Sequence, residues 1–347
     1  MNPLPPASLT PPRTTAWLRR HLGWAMAMAY VVATALPAPG LWLRHSHTLP
    51  GVNGAFSVAL PPLLLSLVLF AAGLQVPLDE LGHLLRRPVA LLTGLTLHLL
   101  TPLLVIPLIT FMLHRSPDSD GGSGLTAAMI LIVAMPVAAG ATVWTSKGRG
   151  EQSVMVGLVL ASTLISPFTT PVTIGLLSPL LQGDYQGTLS RAGYGNGFAL
   201  TFVLLPCGAG LLARTLLSGG SLNRLLRTAV PAALWGSLVL TYVNASGALG
   251  TFLTHPRPVL LAAALAVAST VCVLCFAVGR VTSRLLRLDA STASSVTLAC
   301  GMNNSSASAV LLTTALPDRP HLLLPVLAYG LLQKLAAGRV VRDQSPR

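Results

Sequence analysis

Apolar runs of roughly 20 residues, each long enough to cross a bilayer as a helix, recur along the whole chain. They lie near Trp24–Leu43, Ala55–Val76, Val89–Leu113, Leu125–Ser146, Val154–Leu181, Phe198–Leu217, Ala229–Leu249, Val259–Val278, Ala293–Ala315 and His321–Val340. Lipid offers no partner for backbone polar groups, so runs of this length must be helices packed side by side. Charged residues make up 9% of the chain, against about 25% in a soluble domain. That is too few to cover an aqueous surface. The loops between runs are short, which predicts an all-α, polytopic membrane domain spanning 1–347 with no fused soluble part.

Charge placement tests the count. With the N-terminus in the cytoplasm and the spans alternating, sixteen Lys and Arg fall inside, among them Arg13, Arg19, Arg20, Arg86, Arg87, Lys147, Arg149, Arg339 and Arg347. Five (Arg44, Arg115, Arg191, Arg257 and Arg319) fall outside, and Lys334 stays within the last span. This is the positive-inside asymmetry. It predicts ten spans in the cell membrane, with cytoplasmic tails at 1–20 and 342–347. Arg19 and Arg20 ahead of the first run also fit a secretory signal, but removing that run would leave an odd number of spans against the charge bias. The net charge of +13 does not mark a nucleic-acid binder, because the basic residues stand singly or in pairs with no basic stripe.

The chain also repeats itself faintly. Arg87-Pro88-Val89-Ala90-Leu91-Leu92 opens the third run, and Arg257-Pro258-Val259-Leu260-Leu261-Ala262 opens the eighth, 170 residues later. Halves of five spans start on opposite sides of the membrane, as an inverted repeat requires. The expected repeats are 22–182 and 190–341.

Two runs carry breaks at matching places. In the fourth, Pro136 removes a backbone donor and Gly140 adds slack, ahead of Thr142 and Thr145. In the ninth, Gly301 is followed by Asn303, Asn304, Ser305, Ser306 and Ser308. Broken helices that cross near the midplane present half-helix ends and freed carbonyls to ions and anions. Adjacent amides point in different directions and cannot share one packing role. Asn303, Asn304, Ser305, Thr142 and Thr145 are therefore the candidate substrate-binding residues, and Ala138 to Ala141 read as small packing residues.

These segments resemble the bile acid:sodium symporter family. Gly301-Met302-Asn303-Asn304-Ser305 matches its ninth-span Gly-Met-Gln-Asn-Ser, with Asn for Gln. Met135-Pro136 leading to Arg149-Gly150 parallels its fourth-span motif, and Ser162-Thr163-Leu164-Ile165-Ser166-Pro167-Phe168-Thr169-Thr170-Pro171 reproduces a segment of the next span. Gly73-Leu74, Pro77-Leu78 and Arg86-Arg87-Pro88 look like its link from second to third span. The resemblance implies ten helices as two inverted repeats, a core and a panel, crossing fourth and ninth spans, and alternating-access uptake of organic anions such as sterol or keto-acid carboxylates.

The departures bear on coupling. The resemblance places a sodium-binding glutamate at Ala299, a Ser-Asn ligand pair at Ala141 and Thr142, and two hydroxyls at Met155 and Val159. All nine acids lie in loops or at span ends, whereas hard cations take oxygen ligands that often include a carboxylate. Sodium coupling is thereby in doubt. His98 falls near the family's glutamine ligand of a second sodium and is the candidate for proton coupling, with Asn303 and Ser306 as further ion-coupling candidates. A neutral imidazole bonded in the core is the competing account of His98. Lys334 reads either as an attractor of anionic substrate or, more simply, as snorkelling toward the cytoplasmic headgroups.

Other polar groups read as structural. Cys272 and Cys275 are spaced like a redox or metal pair, but no second pair completes a site, so all four cysteines, Cys207 and Cys300 included, read as packing. His45 and His47 read as a solvated loop pair, and Lys147, Arg149 and Glu151 as topology anchors. An enzyme would need a nucleophile and base, or a metal cluster, at one depth, and no such set is present. The expected function is secondary active transport of a small organic anion across the bilayer, with sodium or a proton as coupling ion, no resident cofactor or metal and no catalytic residues. A proton-coupled or uncoupled carrier using His98 is the alternative, ahead of a membrane-embedded enzyme or a receptor built on a transporter fold.

Overall fold

The computed structural model describes residues 17–18, 21–51, 54–77, 88–113, 122–195, 197–254 and 256–342. Most of the expected N-terminal tail and the C-terminal tail from 343 lie outside the described residues. So do Arg13, Arg19, Arg20, Arg86, Arg87, Arg115 and Arg347 from the charge count, most of the link from 78 to 87, His83, His114, His255, Asp79, Glu80, Asp118, Asp120 and Asp343.

In chain order the helices are α1 (Leu22–Ala35), α2 (Pro37–Arg44), α3 (Leu60–Leu74), α4 (Pro88–Leu113), α5 (Ser123–Val133), α6 (Ala141–Lys147) and α7 (Gln152–Leu177). They continue as α8 (Asp184–Gly195), α9 (Leu205–Leu216), α10 (Gly219–Thr254), α11 (Pro258–Leu285), α12 (Ala290–Gly301), α13 (Ser305–Ala315) and α14 (Leu323–Arg342). Among the described residues six helices are long and apolar enough to cross a membrane, and the bent α1–α2 pair makes a seventh. The chain is a multi-pass membrane protein. Two further expected spans are each split into a pair of short helices, and the expected second span is shortened to α3.

Three local departures from the sequence reading have identifiable causes. The first run is not one helix, because it bends by 96° between α1 and α2. Pro37 lacks an N–H and drives the preceding residue out of the helical region, leaving Leu36 at φ −134°. Tyr242 of α10 fills the gap, its hydroxyl donating to the Leu36 carbonyl at 2.7 Å and accepting from the Gly40 N–H at 3.1 Å.

The second departure is a short antiparallel hairpin, β1 (His47–Gly51) against β2 (Gly54–Val58), within an otherwise helical protein. Pro50, with glycines at 51 and 54, favours turns and extended chain over a helix there, and Pro61 and Pro62 sit in the first turn of α3, where a missing N–H costs nothing. The third is α8, which lies where the sequence suggested a loop. It buries Tyr185 and Leu189, and Arg319 sits over the Tyr185 ring at 4.1 Å and pairs with Asp184 at 3.9 Å.

Packing divides the helices into two groups. In one, α1, α2 and α3 pack on α10, and α3 also packs on α9. In the other, α4 packs on α7 and α11, and α11 on α12 and α14. The α3–α9 contact is a backbone-to-backbone approach. A Cβ on Gly73 would stand 2.1 Å from the Cys207 carbonyl oxygen, and one on Gly210 would stand 2.0 Å from that of Phe70. Small residues that let helices touch are a principal device of helix association in lipid, where no hydrophobic effect drives contact. A π-helical turn at Ala199–Leu204 leads into α9, next to Pro206, which offers no N–H to the carbonyl four residues earlier.

Gly210→Ala should therefore force α3 and α9 apart and lower the melting temperature of the detergent-solubilised protein, with an overpacking cost of about 1–3 kcal/mol. An unchanged melt would show that this contact is absent.

Candidate functional site

The two expected breaks meet. α5 stops at Val133 ahead of Pro136, and α12 stops at Gly301 ahead of Asn303 and Asn304. The unwound stretches lie against each other as an isolated antiparallel bridge between Val137 and Asn303. The Ala138 N–H donates to the Met302 carbonyl at 2.8 Å, and the Asn304 N–H donates to the Pro136 carbonyl at 3.0 Å. Each loop thus supplies what the other lost on leaving the helix.

Hydroxyls take up much of the rest. Ser162 Oγ of α7 accepts the Val137 N–H at 3.1 Å, Thr170 Oγ1 donates to the Ala134 carbonyl at 2.9 Å, and Ser308 Oγ donates to the Leu131 carbonyl at 3.1 Å. An unpaired buried carbonyl or N–H costs free energy comparable to a lost hydrogen bond, and more in lipid. This explains why serines and threonines punctuate an apolar helix such as α7.

The two amides do diverge as expected, and both are engaged in building the crossing. Asn303 Nδ2 donates to the Tyr329 hydroxyl at 2.8 Å, and that hydroxyl donates onward to the Gly301 carbonyl at 3.0 Å. Asn304 caps α13, its Oδ1 accepting the Ala307 N–H at 3.1 Å. Ser305 and Ser306 open the same helix, and Ser305 Oγ accepts from Gln333 Nε2 at 3.4 Å.

Thr142 and Thr145 stand apart from that group. Their hydroxyls donate to Ala139 and Ala141 of their own segment at 2.8 and 3.0 Å. Thr145 is buried against the position of Gly150, and neither threonine lines either of the two cavities beside the crossing.

The first cavity, of about 10 Å³, is lined by His98, Pro136, Ser162, Thr169 and Thr173. His98 is buried, its ring beside the main chain of Met135 and Ala299, and its Nδ1 has no hydrogen-bond partner. The imidazole therefore lies at the crossing, beside both broken segments, and a neutral core ring bonded through one nitrogen accommodates the unpartnered Nδ1 as well as a proton carrier does. Ala141, Met155 and Ala299 are buried, and Val159 is partly so. No carboxylate is among the residues lining either cavity.

The second cavity, of about 30 Å³, lies between α1, α10, α13 and α14 and is lined in part by Tyr30, Thr241, Asn244, Ser305, Ser306 and Lys334. Lys334 lines this cavity and is partly exposed, its Nζ meeting the Met26 sulfur of α1 at 2.8 Å. Arg339 and Arg342, in the last turn of α14, are the cations at that end. The sequence reading also missed Ser162, Thr170, Tyr329, Gln333 and Asn244. Their signal was a polar group inside an apolar run, which does not say what it faces.

A tie at the loop end of α12 holds the crossing from outside. Asp289 caps α12, accepting from Ser291 Oγ at 2.5 Å and the Thr292 N–H at 3.1 Å. The Ser291 hydroxyl and then the Thr292 N–H hold its carboxyl down, from 3.8 to about 2. The Glu151 N–H and carbonyl bond to Ser291 and Ser295, and Lys147 sits over the Trp144 ring at 5.1 Å. The four cysteines are buried and unbridged. His45 caps its own helix through Leu41 at 2.7 Å. Among the described residues no three His, Cys, Asp or Glu side chains could hold a metal.

Against this geometry, the sequence model of the Sodium Bile acid symporter family matches residues 62–255. The chain belongs to that family. It is similar to the "Uncharacterized sodium-dependent transporter YocS" of Bacillus subtilis (strain 168), 23% identical over 253 residues, 72% of each chain. It is also similar to the "Probable sodium/metabolite cotransporter BASS1, chloroplastic" of Oryza sativa subsp. japonica, 25% identical over 295 residues. That match covers 84% of this chain and 64% of the rice protein. Family membership makes the chain a membrane transporter and not an enzyme.

Two variants test the site. Tyr329→Phe leaves the Asn303 amide and the Gly301 carbonyl without that hydroxyl and should destabilise the protein by about 1–3 kcal/mol; a neutral melt would remove the hydroxyl from the crossing. Asp289→Ala should cost about 1 kcal/mol as a lost helix cap. Because the folded carboxyl lies below its ordinary value, that difference is present above 3.8 and disappears as the pH falls through about 2. Thermal melts across pH would read both the loss and its disappearance.

Proposed function

We propose that this chain is a secondary transporter carrying a small organic anion across the cell membrane by alternating access. Its ten spans form two inverted repeats, 22–182 and 190–341, with both termini in the cytoplasm. The observation that carries the reading is the antiparallel bridge at Val137 and Asn303, which joins two interrupted segments from opposite halves beside polar cavities. Exchange of the halves supports the repeat. α1 and α2 pack on α10 as α9 packs on α3, and α4 packs on α7 as α11 packs on α14. The two hydrogen bonds of the bridge are also interchanged by that swap.

The substrate site in this reading is the opening of α13, with Asn303 and Asn304 shaping it and Ser305 and Ser306 facing the cavity. A helix N-terminus presents N–H groups and positive potential to an anion. Thr142 and Thr145, at the counterpart helix α6, would join only if that helix turned.

Sodium is the ion named for both relatives. Here it would be carried by hydroxyl and carbonyl oxygens alone, without a carboxylate. A second reading, proton coupling, rests on one observation, the unpartnered Nδ1 of buried His98 at the crossing. An uncoupled carrier is the third.

Uptake of labelled pyruvate and cholate into proteoliposomes tests these readings. Accumulation under a sodium gradient that survives His98→Gln assigns sodium. Accumulation under a pH gradient that is lost in His98→Gln assigns the proton. Uptake indifferent to both gradients leaves facilitated transport, and uptake no faster than in protein-free liposomes rejects carboxylate transport.

A further inference from the structure

Among the described residues, the lining of the cavity between α1, α10, α13 and α14 has one cation, Lys334, and no acid. Lys334 stands eight residues before the end of α14 at Arg342, about 12 Å along the helix axis from that end. Its ammonium meets a thioether, a weak acceptor. The four helices around the cavity contain Arg224, Arg227, Lys334, Arg339 and Arg342 and no Asp or Glu. Lys334 is partly buried, and a charge drawn part-way out of water without an acidic partner is costly in a membrane protein, where such groups face pathways for charged cargo.

The same cavity offers more than charge. Ser305 and Ser306 bring the N-terminal end of α13 to it. Asn244, 2% exposed, lines it with an Oδ1 that has no hydrogen-bond partner. Gly330 permits this proximity, because a Cβ there would stand 2.9 Å from Ser305 Oγ. The space of about 30 Å³ holds roughly two waters at ~10–15 Å³ each. That is less room than a small organic acid needs, so the pocket must widen between the α1–α10 side and α13–α14 to admit one.

We propose that Lys334, Ser306 and Asn244 form the subsite for the carboxylate of the transported substrate, and that its single ammonium selects monoanions over dianions. This rests on the anion-transporter reading above. A monocarboxylate entering the pocket supplies the missing counter-charge and accepts from the serine hydroxyl. The Asn244 amide oxygen then receives a hydroxyl or amine beside the carboxylate. With the substrate absent, the ammonium is left to the Met26 sulfur, so the site trades stability for charge selection.

Thermal-shift titration of the full chain in detergent tests the subsite, with lactate, benzoate and cholate as monoanion probes and succinate as the dianion. At least one monoanion should raise the wild-type melting temperature, and succinate should do so less. Lys334→Gln should raise the concentration for a half-maximal shift roughly tenfold or more, the effect of losing a charge-assisted hydrogen bond. Lys334→Arg should keep most of the response. Without probe, Lys334→Gln should melt no lower than wild type, since it removes an unbalanced charge. Asn244→Asp provides a second route, because it places a carboxylate in the pocket and should abolish the monoanion shift while the fold holds.

An unchanged monoanion response in Lys334→Gln or Asn244→Asp, or succinate binding as tightly as the monoanions, overturns the subsite alone. Failure of all four probes to shift the wild type overturns the carboxylate-transport reading beneath it.

Discussion

The structure depends on a backbone debt incurred inside lipid. Where α5 and α12 unwind, carbonyl and N–H groups come free at a depth with no water to take them, and each would cost several kcal/mol if left alone. The antiparallel bridge at Val137 and Asn303 resolves this by pairing the two breaks with each other. Neither break is tolerable without the other. The hydroxyls of Ser162, Thr170 and Ser308 and the Asn303–Tyr329–Gly301 chain extend the same solution outward.

That requirement also locates the chemistry. A crossing held by main-chain pairing leaves helix ends, not helix sides, pointing at one place, and the start of α13 supplies N–H groups and serine hydroxyls to a pocket. The surrounding helices then decide what such a pocket accepts. In this chain they contribute a partly exposed lysine, an amide oxygen without a partner and no acid. The neighbouring cavity contributes an imidazole with a free nitrogen. A family named for sodium symport thus presents here a crossing whose polar groups are mostly neutral.

Helix contacts in the rest of the molecule follow the rules of packing in lipid. Gly73 and Gly210 let α3 and α9 touch backbone to backbone. Tyr242 mends the break that Pro37 makes in the first span. Exposed leucines, valines and phenylalanines along α4, α7 and α11 face outward, as a protein solvated by hydrocarbon allows.

The membrane class, the positions of most helices, and the two breaks with their polar residues were legible in the sequence. Apolar run length, proline and clustered amides are local properties, and each forces a local outcome. His98 could be flagged from its place in an apolar run, and the amides from their incompatible directions. Partnership was not legible. Asn303 meeting Tyr329, Ser162 receiving the Val137 N–H, and Lys334 turning to Met26 join residues up to hundreds of positions apart. The hairpin and α8 also escaped, because short segments at a membrane surface take their structure from neighbours more than from propensity. Sequence determined which groups would be stranded in lipid. Tertiary structure alone decided which would satisfy one another and which, like Lys334 and Asn244, would be left facing a cavity, because satisfaction depends on distances the chain sets only when its halves cross.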